Sequence, residues 1–475
     1  MFIKQPIHKE ITMQGDFSFK KIPLYFGLSA VLLLGIFPLS TYPAHFSYSA
    51  AVVLLTLLLW ITGFVPPFMA GLIFFAFSTI FHLLDPQLLF SGFGSTAVWL
   101  IISGFVIGSA ISVSGLSQRL ASSIAPALTT SYPKLIAGLV ASAALLGLVM
   151  PSSVGRAVIL VPIGMALADQ VGLARGSNGR IGVATALALS CNMPSFAVLP
   201  SNIPNMILSG ASEQLFGIRF GYTEYLLLHF PILGFIKSVL IVLLVLWVFP
   251  DHLNSQPSRV KEQAVNDAVK QRKVALLLGI TLLLWVTDGL HGINPAWIGL
   301  VTAIILLLPK WGVLDAKSFN SSVDFSSVIF VAAALGLGAL VNSSGLGSEL
   351  GKGLSQMLPT DGNSPFQSFM ALSWIATLTG LVATVPGVPT VLTPMAADFA
   401  QATGFSLPAV LMTQVIGFST VIFPYQVAPL LVAMQLAQEP LAKLLKITLP
   451  LAAITLLLLM PLDYLWWQWL GWIGE

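Results

Sequence analysis

Apolar stretches recur along the chain from Ile22 to Leu465, divided by short polar segments. Stretches of roughly 17–25 apolar residues suit a bilayer core about 30 Å thick. On that measure the pattern predicts spans near 22–40, 47–65, 67–84 and 96–113. An interrupted stretch over 135–170 follows, breaking near 151–156, and then another over 180–211 that carries Pro194, Pro200 and Pro204. A span near 223–249 and the polar segment Asp251–Lys273 close the first half. The second half repeats the order, with spans near 274–290, 295–309 and 326–342 and a broken stretch over 366–402. A stretch over 408–438, interrupted at Pro424 and Pro429, and a last span near 446–465 complete it.

The breaks carry a repeated motif. Pro151-Ser152-Ser153-Val154-Gly155-Arg156-Ala157 leads to Pro162, and Thr384-Val385-Pro386-Gly387-Val388-Pro389-Thr390 leads to Pro394, 232 residues later. That register also pairs Ser152 with Thr384, Gly155 with Gly387 and Gly172 with Gly404. Interrupted apolar segments at corresponding positions of two halves point to a transporter's binding site. Two arms of about 15 residues, rising about 1.5 Å each, cannot both cross the bilayer core. The stretches 135–170 and 366–402 therefore read as re-entrant hairpins. The expected fold is an all-α integral membrane protein of about eleven transmembrane helices. They form two inverted repeats, each with a re-entrant hairpin and a broken helix.

Composition fixes the class. Hydrophobic residues make up 56% of the chain and charged residues 8%, with a mean hydropathy of +0.91. A soluble domain carries about a quarter charged residues. One cysteine, Cys191, excludes a disulfide framework, and dispersed basic residues give no nucleic-acid footprint. No nucleophile–base pair or metal motif supports an enzyme. The N-terminal Lys4, Lys9, Lys20 and Lys21 precede an apolar stretch without a clear cleavage site, which reads as an uncleaved first span.

With the N-terminus in the cytoplasm, seventeen Lys and Arg fall on the cytoplasmic side, and only Arg219 and Lys352 fall outside. That is the bias of the positive-inside rule, and it places the C-terminus, with Trp466, Trp467, Trp469 and Trp472 as an aromatic anchor, at the outer face of the cell membrane. Counting the hairpins as full double crossings would leave these sides unchanged.

Inverted halves, each with a hairpin and an interrupted span, resemble the divalent anion:sodium symporter (DASS) family of the ion transporter superfamily. That family carries Ser-Asn-Thr-Ala-Thr-Ala at each hairpin tip, with Pro ten residues after the Ser. Ser152 stands ten residues before Pro162, and Thr384 ten before Pro394. A Thr-Pro-Pro-Asn-like break is similar to Ser201-Asn202-Ile203-Pro204-Asn205, and Phe423–Pro429 would be its partner. The family's Asn is replaced here by Ser153 and Val385, its first Thr by Val154 and Pro386, and its second Thr by Arg156 and Val388.

The resemblance implies a secondary transporter that moves a small anion (dicarboxylate, sulfate or a related organic acid) by an elevator mechanism, coupled to sodium. Exchange of anions or proton coupling without sodium is the alternative, and an anion channel a more distant one. A cation/proton antiporter would need a titrating carboxylate in the broken spans, where none occurs. The implied units are a cytoplasmic segment 1–21, scaffold parts 22–134 and 274–358, transport parts 135–250 and 359–475, and a cytoplasmic linker 251–273. The scaffold would form a homodimer in the bilayer. Leu173–Gly182 and Leu358–Pro365 read as hinges.

The candidate substrate residues are Ser152, Ser153, Gly155, Arg156, Asn202, Asn205, Thr384, Gly387, Thr390, Tyr425 and Gln426. Hydroxyls at a tip can cap free N–H groups or meet an anion at the same helix N-terminus. Arg156 is a charge inside an apolar segment, which costs about 2.5–3.5 kcal/mol on insertion scales. It either clamps an oxyanion or holds loop carbonyls. In the first case Arg156→Ala abolishes anion binding with folding intact, and in the second the variant misfolds. Ser153, Ser201 and Asn202 are the candidate sodium ligands, and no other cofactor is expected. Lys237, mid-span, reads as snorkelling or facing the pathway, Asp169 and Asp398 as structural, and His229 as packing.

Overall fold

A computed structural model describes residues 17–116, 119, 128–150, 152–253, 267–315, 317–356, 358 and 364–473. Most of the N-terminal segment, Pro151, much of the linker and most of the Leu358–Pro365 hinge lie outside the described residues. Among the described residues the regular structure is helical throughout, with no strand.

Seven helical stretches are long and apolar enough to cross a membrane: Ala44–Thr62, Thr96–Val113, Ser153–Gln170, Tyr222–Val248, Phe325–Ser343, Pro365–Thr403 and Leu441–Trp469. The chain is a multi-span membrane protein. Shorter apolar helices stand where Pro and Gly interrupt the pattern, at Tyr132–Gly147, Leu407–Phe418 and Ala428–Ala437 among others. Polar caps set several starts. Ser131, Ser177 and Ser406 each accept the backbone N–H three residues on, satisfying a donor the helix leaves free.

The first hairpin consists of Tyr132–Gly147 and Ser153–Gln170, joined through 148–152. The second lies within Pro365–Leu392, where Thr384 leaves the helical region at φ 61°, ψ 168°. A Cβ on Gly380 would stand 3.4 Å from Val388 Cγ2. Eight residues along a straight helix would separate them by about 12 Å, so the chain turns back at Thr384. The first broken span runs Asn178–Ser190 and Ile203–Phe216, the second Leu407–Phe418 and Ala428–Ala437. Each gap holds short 3₁₀ turns.

Two apolar cores form. One gathers both hairpins with Asn178–Ser190, Leu407–Phe418, Ala428–Ala437 and the helices over 222–249 and 441–473. The other gathers helices from 52–116 and 274–340, and meets the first hairpin and the first broken span at Met150, Ile159, Val198 and Met206. Arg180 ties the base of the first hairpin by pairing with Asp169 and, at 3.4 Å, with Glu439. Trp467 departs from the expected aromatic anchor. It is fully buried, its ring against Phe369 and His229, whereas Trp469 is exposed. The helical period turns Trp467 inward and Trp469 outward.

Candidate functional site

Four backbone breaks meet at one cavity of about 420 Å³. From the first hairpin comes Val154, from the first broken span Asn202, Ile203 and Pro204. The second hairpin supplies Thr384, Val385 and Pro386, and the second broken span supplies Tyr425 to Pro429. The facing wall is Trp60, Pro67, Phe68, Asp324, Ser326, Ser327 and Phe330. The volume suits a small organic ligand.

The cavity lies at helix starts. Val154 opens Ser153–Gln170, Ile203 and Pro204 open Ile203–Phe216, and Ala428 and Pro429 open Ala428–Ala437. Val385 and Pro386 begin the second arm of the second hairpin. Helix N-termini carry partial positive charge and free N–H donors. No Lys or Arg is among the described lining residues, so positive potential at these helix starts comes from backbone dipoles. Asp324 faces it from the opposite wall with its oxygens engaged, accepting from Ser326 N at 3.1 Å and Ser327 Oγ at 2.6 Å.

Gln426 lines the cavity and is held by its carbonyl end. Its Oε1 accepts from Ile422 N (2.9 Å) and Phe423 N (2.8 Å), which fixes the amide and turns Nε2 away. Nε2 has no partner although the residue is only 2% exposed. A buried donor left unpaired costs about 1–3 kcal/mol. Tyr425 is exposed and donates to the Leu381 carbonyl at 2.9 Å, joining the second broken span to the second hairpin.

Arg156 is fully buried and absent from the lining. Nε and Nη2 donate to the Cys191 carbonyl at 3.0 and 2.8 Å, and Nη1 to the Met150 carbonyl. Nη2 also reaches Ser153 Oγ at 3.0 Å and the Ser201 carbonyl at 3.3 Å. The guanidinium thus staples the first hairpin turn to both edges of the first break. Ser153 Oγ passes the link on to Asn202 Oδ1 at 3.4 Å, and Asn202 Nδ2 donates to Asn192 Oδ1 and Ser195 Oγ at 3.1 Å each. Asn205 donates to the Ser195 and Val198 carbonyls at 3.1 and 2.9 Å, leaving its Oδ1 unpartnered.

Of the residues singled out from sequence, the cavity brings together Asn202, Thr384, Tyr425 and Gln426. Ser152 caps its helix, accepting from Gly155 N at 3.0 Å. Thr390 donates to the Pro386 carbonyl at 3.3 Å, and Gly387 packs under Ala383. Ser153, Ser201 and Asn202 lie close together, but their oxygens are engaged, Ser201 Oγ with the Gly147 carbonyl. A guanidinium nitrogen lies 3.0 Å from Ser153 Oγ. As they stand, these three do not fit sodium, because the cluster already holds a positive charge.

Sequence reasoning missed the facing wall, whose residues come from distant spans. It also missed Asp463, fully buried with both oxygens unpartnered. It lies inside the expected last span, three residues before the aromatic cluster that starts at Trp466.

Residues 55–417 match the family model described as "Citrate transporter". A relative from Cupriavidus necator, called "Membrane protein", is 25% identical over 81% of this chain and 77% of its own length. Two sodium-dependent dicarboxylate transporters, SdcS of Staphylococcus saprophyticus and of Staphylococcus aureus, are more distant. The first is 22% identical over 40% of this chain and 37% of its own length. The second is 20% identical over 59% of this chain and 54% of its own length. In fold, the chain is similar to the crystal structure of the Alcanivorax borkumensis YdaH transporter. The TM-score is 0.52 at 17% identity, over 96% of this chain and 98% of that one. These matches agree with the resemblance read from the hairpin motifs, and they make the protein a transporter and not an enzyme. The chain belongs to the citrate transporter family, as a divergent relative of the divalent anion:sodium symporters.

Proposed function

We propose that the protein is an elevator-type secondary transporter of a small carboxylate anion of the citrate or dicarboxylate class, bound in the cavity between the four breaks. One observation carries this reading. Four helix N-termini and the side chain of Gln426 converge on a cavity with no Lys or Arg among its described lining residues. Fixed dipoles suit an anion that must be released again on the far side. Asn202, Thr384 and Tyr425 would supply the remaining polar contacts.

The separate apolar cores support an elevator, with the hairpins and the halves packed with them sliding against the helices over 52–116 and 274–340. On this reading the hairpins are re-entrant, the halves are inverted, and the scaffold spans pair as a homodimer. The positive-inside bias supports a cytoplasmic N-terminus and an extracytoplasmic C-terminus. Arg156 acts through Ser153 on Asn202, not on the substrate.

Sodium coupling is supported by what the two staphylococcal relatives are called. A second reading, transport without sodium, starts from the Arg156 guanidinium standing among the candidate sodium ligands. Both are tested by uptake of radiolabelled citrate, succinate and sulfate into proteoliposomes under sodium, potassium, choline or proton gradients. Citrate or succinate uptake is the expected result. Stimulation only by inward sodium supports the symporter, and equal uptake in choline supports the second reading. No uptake of any of these anions would overturn both.

A further inference from the structure

Most polar side chains around the cavity have their protons committed within the protein. Asn202 lines the cavity and is 6% exposed. Its Nδ2 donates to Asn192 Oδ1 and to Ser195 Oγ at 3.1 Å each, which uses both amide protons. Ser195 gives its own hydroxyl proton to the Asn192 carbonyl, so its oxygen can only accept from Asn202. That fixes which end of the Asn202 amide carries the protons. Oδ1 has two lone pairs, and Ser153 Oγ donates to one of them at 3.4 Å. What Asn202 has left to give a ligand is an acceptor.

Other lining residues are in the same condition. Tyr425 donates to the Leu381 carbonyl at 2.9 Å, Ser327 to Asp324 Oδ2 at 2.6 Å, and Trp60 Nε1 to the Pro67 carbonyl at 3.0 Å. Asp324 is a carboxylate with lone pairs beyond the two bonds it accepts. Asn202, Tyr425, Ser327 and Asp324 therefore present oxygens without free protons, from both broken spans and the facing wall. Thr384, Ser326 and Gln426 complete the polar lining. The carboxylates of an anion find no match in such oxygens, and belong at the helix starts, where backbone N–H groups are free. A buried acceptor left without a donor is costly. A hydroxyl supplies that donor and adds no charge.

We propose that the carried anion is a hydroxycarboxylate and that Asn202 Oδ1 accepts its hydroxyl. Selection then falls on the hydroxyl as well as on the carboxylates. Asn192 and Ser195 are positioning residues, which hold the amide with its acceptor free. Neither is among the described lining residues. The inference rests on the cavity being the carboxylate site, and the test separates the two.

The full-length protein in detergent is titrated with succinate, malate and aspartate, which differ in one substituent, and with citrate and its deoxy analogue tricarballylate. Dissociation constants are read from thermal stabilisation. Malate should bind about tenfold tighter than succinate, and citrate than tricarballylate, the worth of one hydrogen bond. Asn202→Ala should bring both ratios to about one, and Asn192→Leu and Ser195→Ala should lower them severalfold. Equal binding of malate and succinate by the wild type would overturn the hydroxyl reading and leave the carboxylate site standing. Aspartate binding tighter than malate would overturn it too, with an ammonium on Asp324 in place of a hydroxyl on Asn202. Variants that weaken hydroxylated and plain acids alike would remove Asn202, Asn192 and Ser195 from selection. If none of the five acids binds, the functional reading falls and this inference with it. The wild-type comparison decides the hydroxyl even where a variant fails to fold.

Discussion

The two hairpin tips align residue for residue in sequence, yet they are held in opposite ways. At the first, Ser152 caps the second arm and Arg156 gathers the carbonyls of Met150, Cys191 and Ser201 into one buried cluster. Among the described residues of that tip, Val154 alone lines the cavity. At the second, Pro386 and Pro389 remove backbone donors and no basic residue intervenes. Thr384 holds φ 61°, ψ 168°, a region that favours glycine, and it faces the cavity directly. The first tip is a stapled support, and the second is a wall of the cavity. Both tips reverse the chain, while their polar chemistry differs.

The contrast can be broken at its strongest point first. Arg156→Ala strands three buried carbonyls, each costing about 1–3 kcal/mol, so stability should fall by about 3 kcal/mol or more, as a lower melting temperature or lost folded yield. A variant that stays folded and loses only anion binding would make Arg156 a ligand after all. Gln426→Ala should come next, raising the KM for the carried anion about tenfold, or about 1.4 kcal/mol, in proteoliposome uptake. Thr384→Gly should raise thermal stability by about 1 kcal/mol, because about 1–3 kcal/mol of backbone strain is released against a small entropic loss. Ser152→Ala should cost about 1 kcal/mol of stability with little change in KM, since its oxygen is taken up by Gly155 N and the residue is absent from the cavity lining.

Much of this architecture was legible in the sequence, because in a membrane chain hydropathy marks the spans and Pro and Gly mark the breaks. Thr96–Val113 matches the expected span at both ends, and the first hairpin turns within a few residues of the expected break. The cavity was legible only in part. Thr384, Tyr425 and Gln426 sit in breaks and could be found by that signal. Most of Arg156's partners are backbone carbonyls, which carry no letter, so the sequence favoured the clamp and did not reveal the staple. Trp60, Phe68 and Phe330 reach the cavity through packing between distant spans, and Asp463 is turned inward by helical phase beside aromatics that suggested an interface.

The central claim is that helix N-termini and Gln426, without a basic side chain, bind a carboxylate between the breaks. The most direct measurement is the thermal stability of the purified protein with citrate, succinate or sulfate, in sodium and in choline, for wild type and Gln426→Ala. A ligand that binds the folded state raises stability as RT ln(1 + [L]/Kd). The expected result is a rise with citrate or succinate that Gln426→Ala greatly reduces. No rise with any anion, or one that Gln426→Ala leaves intact, would contradict it.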